Sequence, residues 1–209
     1  MSARIDRVVT SGKFVLDGGS WDVENNVWLL GDDTECVIVD AAHDAAAILA
    51  AVDGRNVVAV LCTHAHNDHV NAVDDLRDAT NAPSALHPDD RVLWDQEHPD
   101  AAPDRPLADG DVITVAGTDL HVLHTPGHSP GAVCFYVPAL STVLTGDTLF
   151  AGGPGATGRS YSDFGTIIGS IRDRLLALPA ETQVLTGHGE PTTIGAEAPH
   201  LQEWIDRGS

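Results

Sequence analysis

Apolar and polar positions change rhythm several times along the chain, and each change marks an element. Residues 26–30 and 35–40 are short apolar runs separated by Gly31-Asp32-Asp33, the pattern of two strands joined by a tight turn. The alanine-rich stretch 44–52 predicts a helix that Asp53-Gly54 ends. Residues 57–62 are wholly apolar and rich in valine, as in a strand buried on both faces. A helix over 70–80 follows and Pro83 closes it. Residues 87–108 are rich in Pro, Asp and Ala, with a short helix predicted over 89–94 and then a connector or flap over 99–106.

The strand rhythm then returns. Residues 111–114 and 119–124 alternate, 132–137 and 142–144 read as strands, and the second of these runs into Gly146-Asp147. A helix over 165–178, a strand over 183–186 and a last helix over 199–207 complete the pattern. Two strands followed by an aspartate occur in both halves, at Asp40 and at Asp147, which hints at a duplicated β-rich unit. Helices interleaved with two sheets predict a layered α/β sandwich.

Composition narrows the picture. With 209 residues and 43% apolar content, residues 1–209 are expected to form one compact domain. Residues 1–7 hold no secretory apolar run, and nothing later reaches the roughly 18 apolar residues of a membrane span, so the expectation is a cytoplasmic protein with no membrane partner. Cys36, Cys62 and Cys134 are odd in number, far apart and set in apolar runs, which fits reduced core residues. The net charge is −20, with the one lysine Lys13 against ten arginines. Such a surface repels phosphate backbones and excludes nucleic acid as the expected partner. No sequence feature selects an oligomeric state.

The chemistry is concentrated in Thr63-His64-Ala65-His66-Asn67-Asp68-His69, which packs three histidines and an aspartate into six positions directly after a buried strand. In an extended loop His64 and His66 project to one side, while Asp68 and His69 turn towards a nearby point. Neutral imidazoles with a carboxylate are a ligand set for borderline divalent metals. Three more strands end in such a residue flanked by glycine: Gly127-His128, Gly146-Asp147 and Gly187-His188-Gly189. Five histidines and two aspartates make two sets of three and one bridge, a dinuclear site. His43, His87, His98, His121, His124 and His200 lack the spacing for a second site and read as surface or packing residues, with His124 close enough to His128 to reach a pocket mouth. Trp21, Trp28, Trp94 and Trp204 read as core or interface residues.

These motifs, in this order over residues 26–190, resemble the metallo-β-lactamase superfamily and especially its glyoxalase II-like (hydroxyacylglutathione hydrolase-like) thioesterases. The resemblance implies a four-layer αβ/βα sandwich with the metals at one edge of the sheets. It allots His64, His66 and His128 to one metal and Asp68, His69 and His188 to the other, with Asp147 bridging. Two divalent ions are implied, zinc first, with iron or manganese also suited to the ligands. Glyoxalase II enzymes carry a helical C-terminal domain that holds glutathione, and about twenty residues follow His188 here, so that domain is not expected. In the loop 152–163, Arg159 and Tyr161 are the candidate substrate-binding residues, Arg159 either as a clamp on a substrate carboxylate or as a loop brace.

The implied reaction is hydrolysis of a small-molecule thioester, an acyl or lactoyl conjugate of a low-molecular-weight thiol, by a metal-bridging hydroxide. Asp68 and Asp147 are the catalytic candidates, and Asp68 could also take up a proton. Asp40 is either a partner that orients a ligand histidine or a turn residue. A bias towards Ala, Asp, Val, Gly and Arg fits a GC-rich genome and makes mycothiol a candidate thiol. A mono-iron persulfide dioxygenase of the same fold is the alternative, and a silent binding protein is a third reading.

Overall fold

The computed structural model describes residues 3–208. Strand β1 (Arg4–Leu16) and β2 (Gly19–Gly31) form a long antiparallel hairpin, paired from Arg4↔Gly31 to Leu16↔Gly19. Its tip, Asp17-Gly18, has φ of 52° and 76°, the left-handed pair that a two-residue turn between twisted strands requires. This hairpin was not anticipated below residue 26. β1 alternates between exposed and half-buried along nearly its whole length, so its apolar pattern is weak.

β3 (Glu35–Val39) pairs antiparallel with β2, and helix α1 (Ala45–Val52) then crosses to β4 (Asn56–Leu61), parallel to β3. Asp44 caps α1 by accepting from the Ala47 N–H, and Asp53 ends it in left-handed backbone. The predicted helix over 70–80 is two helices, α2 (Asn67–Val70) and α3 (Val73–Thr80), because Ala72 donates its N–H to the Ala41 carbonyl outside the helix. β5 (Ser84–Leu86), α4 (Arg91–Glu97) and β6 (Arg105–Pro106) follow, and β6 pairs with β5. The 99–106 segment is thus no flap. The Trp94 indole donates to the Ala101 carbonyl, and the Asp104 carboxylate accepts from the Ser84 N–H, pinning the segment to the sheet edge.

The second half builds another sheet from β7 (Val112–Val115), β8 (Thr118–His124), β9 (Val133–Val137) and β10 (Thr142–Gly146). A small hairpin of β11 (Leu149–Phe150) and β12 (Gly153–Pro154) leads to α5 (Phe164–Ser170), which continues as a wider π turn over Ile171–Leu175 in place of one regular helix. β13 (Gln183–Thr186) runs parallel to β10, followed by β14 (Thr192–Thr193), α6 (Ile194–Glu197) and α7 (Leu201–Arg207). The sheet orders are β1-β2-β3-β4-β5-β6 and β14-β13-β10-β9-β8-β7. β3 and β10 correspond: each has an antiparallel neighbour on one side and a parallel one on the other, and each ends at an aspartate.

Alternation along the strands makes four layers. Val37, Leu61, Leu120, Phe135 and Leu144 face inward and fill the space between the sheets. Their neighbours point outward, Ile38 and Val60 against α1, α3 and α4, and Val143 and Val184 against the α5 and α7 layer. All three cysteines are buried and free, as expected. Among the described residues no helix is long and apolar enough to cross a membrane. Phe135 is fully buried between the sheets. Phe135→Ala is expected to lower the unfolding free energy by about 3–5 kcal/mol in urea titrations, and a loss below about 1 kcal/mol would contradict this packing.

Candidate metal centre

Each predicted ligand lies just beyond a strand end, where the chain turns over the sheet edges. The loop after β4 carries His64 and His66, α2 carries Asp68 and His69, and His128, Asp147 and His188 follow β8, β10 and β13. The structure brings all seven together. His66 Nδ1 lies 3.1 Å from His64 Nε2 and 3.0 Å from His128 Nε2, so these three nitrogens form one face. Asp68, His69 and His188 form a second trio, with His188 Nε2 3.3 Å from Asp68 Oδ2 and 3.3 Å from His69 Nε2. Asp147 stands between them, 3.6 Å from His128 Nε2, 3.4 Å from His69 Nε2 and 3.4 Å from His188 Nε2. Gly187 leaves room for this: a Cβ there would lie 2.3 Å from Asp147 Oδ1 and 2.7 Å from the His69 ring.

The proton positions follow from the partners, because carbonyl and carboxylate oxygens only accept. His128 donates its Nδ1–H to the Ala156 carbonyl, His188 to the Glu24 carbonyl and His69 to Asp40 Oδ2. The Thr63 hydroxyl donates to Asp40, so its oxygen is left to accept from His64 Nδ1–H. Four of the five histidines therefore spend Nδ1–H outward and turn Nε2 inward. In the first trio, lone pairs on His64 and His128 both face the single His66 Nδ1, which can offer a proton to only one of them. Nitrogen ligands of a tetrahedral metal stand about 3.3 Å apart, close to the spacing found. Asp68 Oδ1 and Asp147 Oδ1 are buried with no hydrogen-bond donor. The residues present fit two divalent cations.

Electrostatics separate the trios. Burial holds His64 well below the usual histidine range and lowers His66 to about 3, helped by neighbouring imidazoles, so these two are neutral near pH 7. Burial also opposes charge on His188 and His69, but Asp147 and Asp68 outweigh it and raise His188 to about 10. Asp68 is itself lowered to about 2, burial being overcome by His69, His188 and Asn25.

Several residues here were not anticipated. Asn25 is buried and donates to the backbone carbonyl and Oδ2 of Asp68, and His43 Nε2–H donates to Asn25 Oδ1. His43 is therefore part of the support of Asp68, not a surface or packing residue. Asp40 does orient a histidine, and also accepts from the Thr63 N–H. Trp21 is no core residue: 39% exposed, it lies under the Arg159 guanidinium at 3.9 Å, with Phe14 at 5.5 Å. Phe14 in turn meets the His66 ring edge-on at 5.3 Å. Tyr161 is exposed on the same loop, with φ of 68°. His87 and His124 come face to face at 4.1 Å with Asp89 nearby, but their planes differ by only 11°, so their in-plane lone pairs run side by side and do not converge.

The chain matches the metallo-beta-lactamase superfamily over residues 21–188 and belongs to it. It is thus a member of a metal-binding hydrolase superfamily. Among curated relatives it is 31% identical over 190 residues to the hydroxyacylglutathione hydrolase GloC of Haemophilus influenzae, covering 83% of this chain and 90% of that one. The solved structure of TTHA1623 in a di-iron-bound form is similar at a TM-score of 0.75 and 36% identity, covering 88% of this chain and 96% of that one. BLEG-1, a B3 metallo-beta-lactamase, is similar at a TM-score of 0.78 and 32% identity, covering 91% and 97%.

The contrast between the trios has a measurable consequence. Divalent metals bind deprotonated ligands, so filling the second trio at pH 7 is expected to release about one proton or more, chiefly from His188 and His69. Filling the first is expected to release none from His64 or His66. The release should fade as pH rises towards 10, where His188 is already losing its proton. Calorimetric titration in buffers of different ionisation enthalpy reads this directly, and equal proton release for both ions would contradict the assignment.

Proposed function

We propose that His64, His66 and His128 hold one divalent metal, that Asp68, His69 and His188 hold a second, that Asp147 bridges them, and that the chain hydrolyses a thioester of a small thiol. The observation that carries this is the pair of trios around Asp147, with lone pairs converging and two carboxylate oxygens left without donors. When bound, two such ions supply a water whose pKa falls from 15.7 towards about 7 and a Lewis acid for the carbonyl oxygen. Zinc suits the nitrogen-rich first trio, and the di-iron form of TTHA1623 makes iron the next candidate.

The chain's own groups do the rest. Asp68, lowered to about 2 and fixed by Asn25, is a poor base, which favours ligation over proton uptake as its role. A cavity of about 160 Å³ opens beside His66, lined by Val15, Leu16 and Leu93 among others, and it has room for a small acyl group. Arg159 lies across Trp21 and Phe14, and with no ion pair to it among the described residues its guanidinium edge can meet an anionic part of the substrate. Thiolates leave without acid assistance because their conjugate acids have pKa near 8.5. The site therefore needs no proton donor, and all five histidines can serve as ligands. Similarity to a hydroxyacylglutathione hydrolase supports the thioester over other acyl compounds. A mono-iron dioxygenase would leave the Asp68, His69 and His188 trio without a task.

The direct test is thiol release from S-lactoyl glutathione and S-lactoyl mycothiol by metal-loaded protein. Rapid release from either supports the thioesterase, whereas none from both, with oxygen uptake on a persulfide, would replace it by the dioxygenase. His66→Ala and Asp147→Ala should each abolish hydrolysis with the fold kept, and a variant retaining more than about a tenth of the rate would refute the ligand roles. Arg159→Ala should raise KM for the carboxylate-bearing glutathione conjugate about tenfold, the loss of one charge-assisted hydrogen bond. It should leave kcat and the uncharged mycothiol conjugate nearly unchanged, and an equal effect on both conjugates would make Arg159 a loop brace.

A further inference from the structure

The two loops that carry the first trio are tied together by a carboxylate that touches none of the ligand atoms. Asp90 closes the single turn Pro88–Asp90 ahead of α4 and is fully buried. Its Oδ2 accepts from the Ala65 N–H at 2.8 Å and from the Ser129 hydroxyl at 2.8 Å, and its Oδ1 accepts from the Gly131 N–H. Ala65 stands between His64 and His66, while Ser129 and Gly131 follow His128. One side chain therefore grips both backbone segments that supply the three converging nitrogens. The fit is close: a Cβ on Gly131 would lie 2.6 Å from the Asp90 nitrogen.

A second buried aspartate serves both trios. Asp40 accepts from the Thr63 N–H, the Thr63 hydroxyl and His69 Nδ1–H. None of the three donors to Asp90 belongs to the α2 or His188 segments, so Asp90 acts on the first trio alone, whereas Asp40 holds His69 directly and His64 through Thr63. All three partners of Asp90 are hydrogen-bond donors, so the site is built to take an acceptor in that place. An acceptor with three donors and no competing role is the arrangement that fixes a loop before its ligand arrives.

Resting on the dinuclear reading above, we propose that Asp90 is the positioning residue of the first metal: it holds the His64–His66 loop and the His128 loop in register so that their nitrogens converge on one ion. Partners outside the ligand set typically contribute 10–100-fold in metal affinity, and here the effect falls on one site of the two.

The test measures each site separately and uses no substrate. Wild type, Asp90→Asn and Ser129→Ala are loaded with zinc against a competing chelator, with metal per chain determined by mass spectrometry. Occupancy of each site is then read from anomalous diffraction. In Asp90→Asn an amide N–H₂ replaces one acceptor oxygen, and affinity at the first site is expected to fall about 10–100-fold with the second site within about twofold. Ser129→Ala, which removes one donor of three, should weaken the first site by a few fold. Equal loss at both sites, or a lower melting temperature with both affinities intact, would make Asp90 a general structural residue and overturn the proposal. If Asp90→Asn does not fold, Ser129→Ala decides: selective weakening of the first site supports the proposal and unchanged affinity refutes it. Fewer than two metals on the wild type would instead refute the dinuclear reading, a result distinct from either.

Discussion

The structure depends on holding imidazole lone pairs and carboxylates of one sign of potential within 3.0–3.6 Å of each other in a buried corner. Without a cation such a cluster repels itself, and the two trios answer differently. Desolvation keeps His64 and His66 neutral, whereas Asp147 and Asp68 draw protons onto His69 and His188. Neither answer fixes geometry, so the geometry is imposed from outside the cluster. Outward Nδ1–H bonds to Ala156, Glu24 and Asp40 set the rings, and buried Asp40 and Asp90 set the loops. The cluster is thus pre-organised, and the strain of assembling it is taken up in folding.

The fold can meet this demand because its two halves end their strands at the same place. β3 and β10 occupy equivalent positions in their sheets, and both run into an aspartate at the carboxyl end. Parallel neighbours β4 and β13 deliver the histidine loops alongside them. Crossover helices leave the strand ends open at this edge, as at the ligand-binding edge of other α/β sheets. Two sheets joined by an apolar inner core then fix the distance between the halves, so that His128 and Asp147 from one half meet His64 and His69 from the other.

What could be read in the sequence was what is local. The seven ligand-type residues stood out because four crowd into six positions and the rest sit between glycines after strands. β3, β4, β9 and β10 were legible because they are mostly apolar on both faces, and β8 because it alternates. The β1–β2 hairpin was not, since its arms are half exposed, although Asp17-Gly18 is itself a hairpin signal. β5 and β6 are three and two residues long, too short for a periodicity to register. Asn25, His43 and Asp90 were passed over for a different reason. Each matters through a partner far along the chain, Asn25 through Asp68 and Asp90 through Gly131, with separations of 43 and 41 residues. Asn25 stands between Glu24 and Asn26 in the polar part of β2, where nothing local singles it out.

The acidity of the chain bears on the site as well. A net charge of −20 opposes the approach of any anionic substrate, and Asp68 and Asp147 add to it locally. An arginine at the mouth would ordinarily be neutralised by one of the many carboxylates. Asp17, at the neighbouring hairpin tip, feels the Arg159 charge across space but spends its oxygen on the Ser160 N–H, and no ion pair forms between the two among the described residues. Arg159 rests on the faces of Trp21 and Phe14, which attract the cation without consuming its N–H donors. The guanidinium edge thereby stays available to a planar anion. This gives the exposed aromatic on β2 a physical reason, and under the proposed function it would tie the hairpin least legible in the sequence to the choice of substrate.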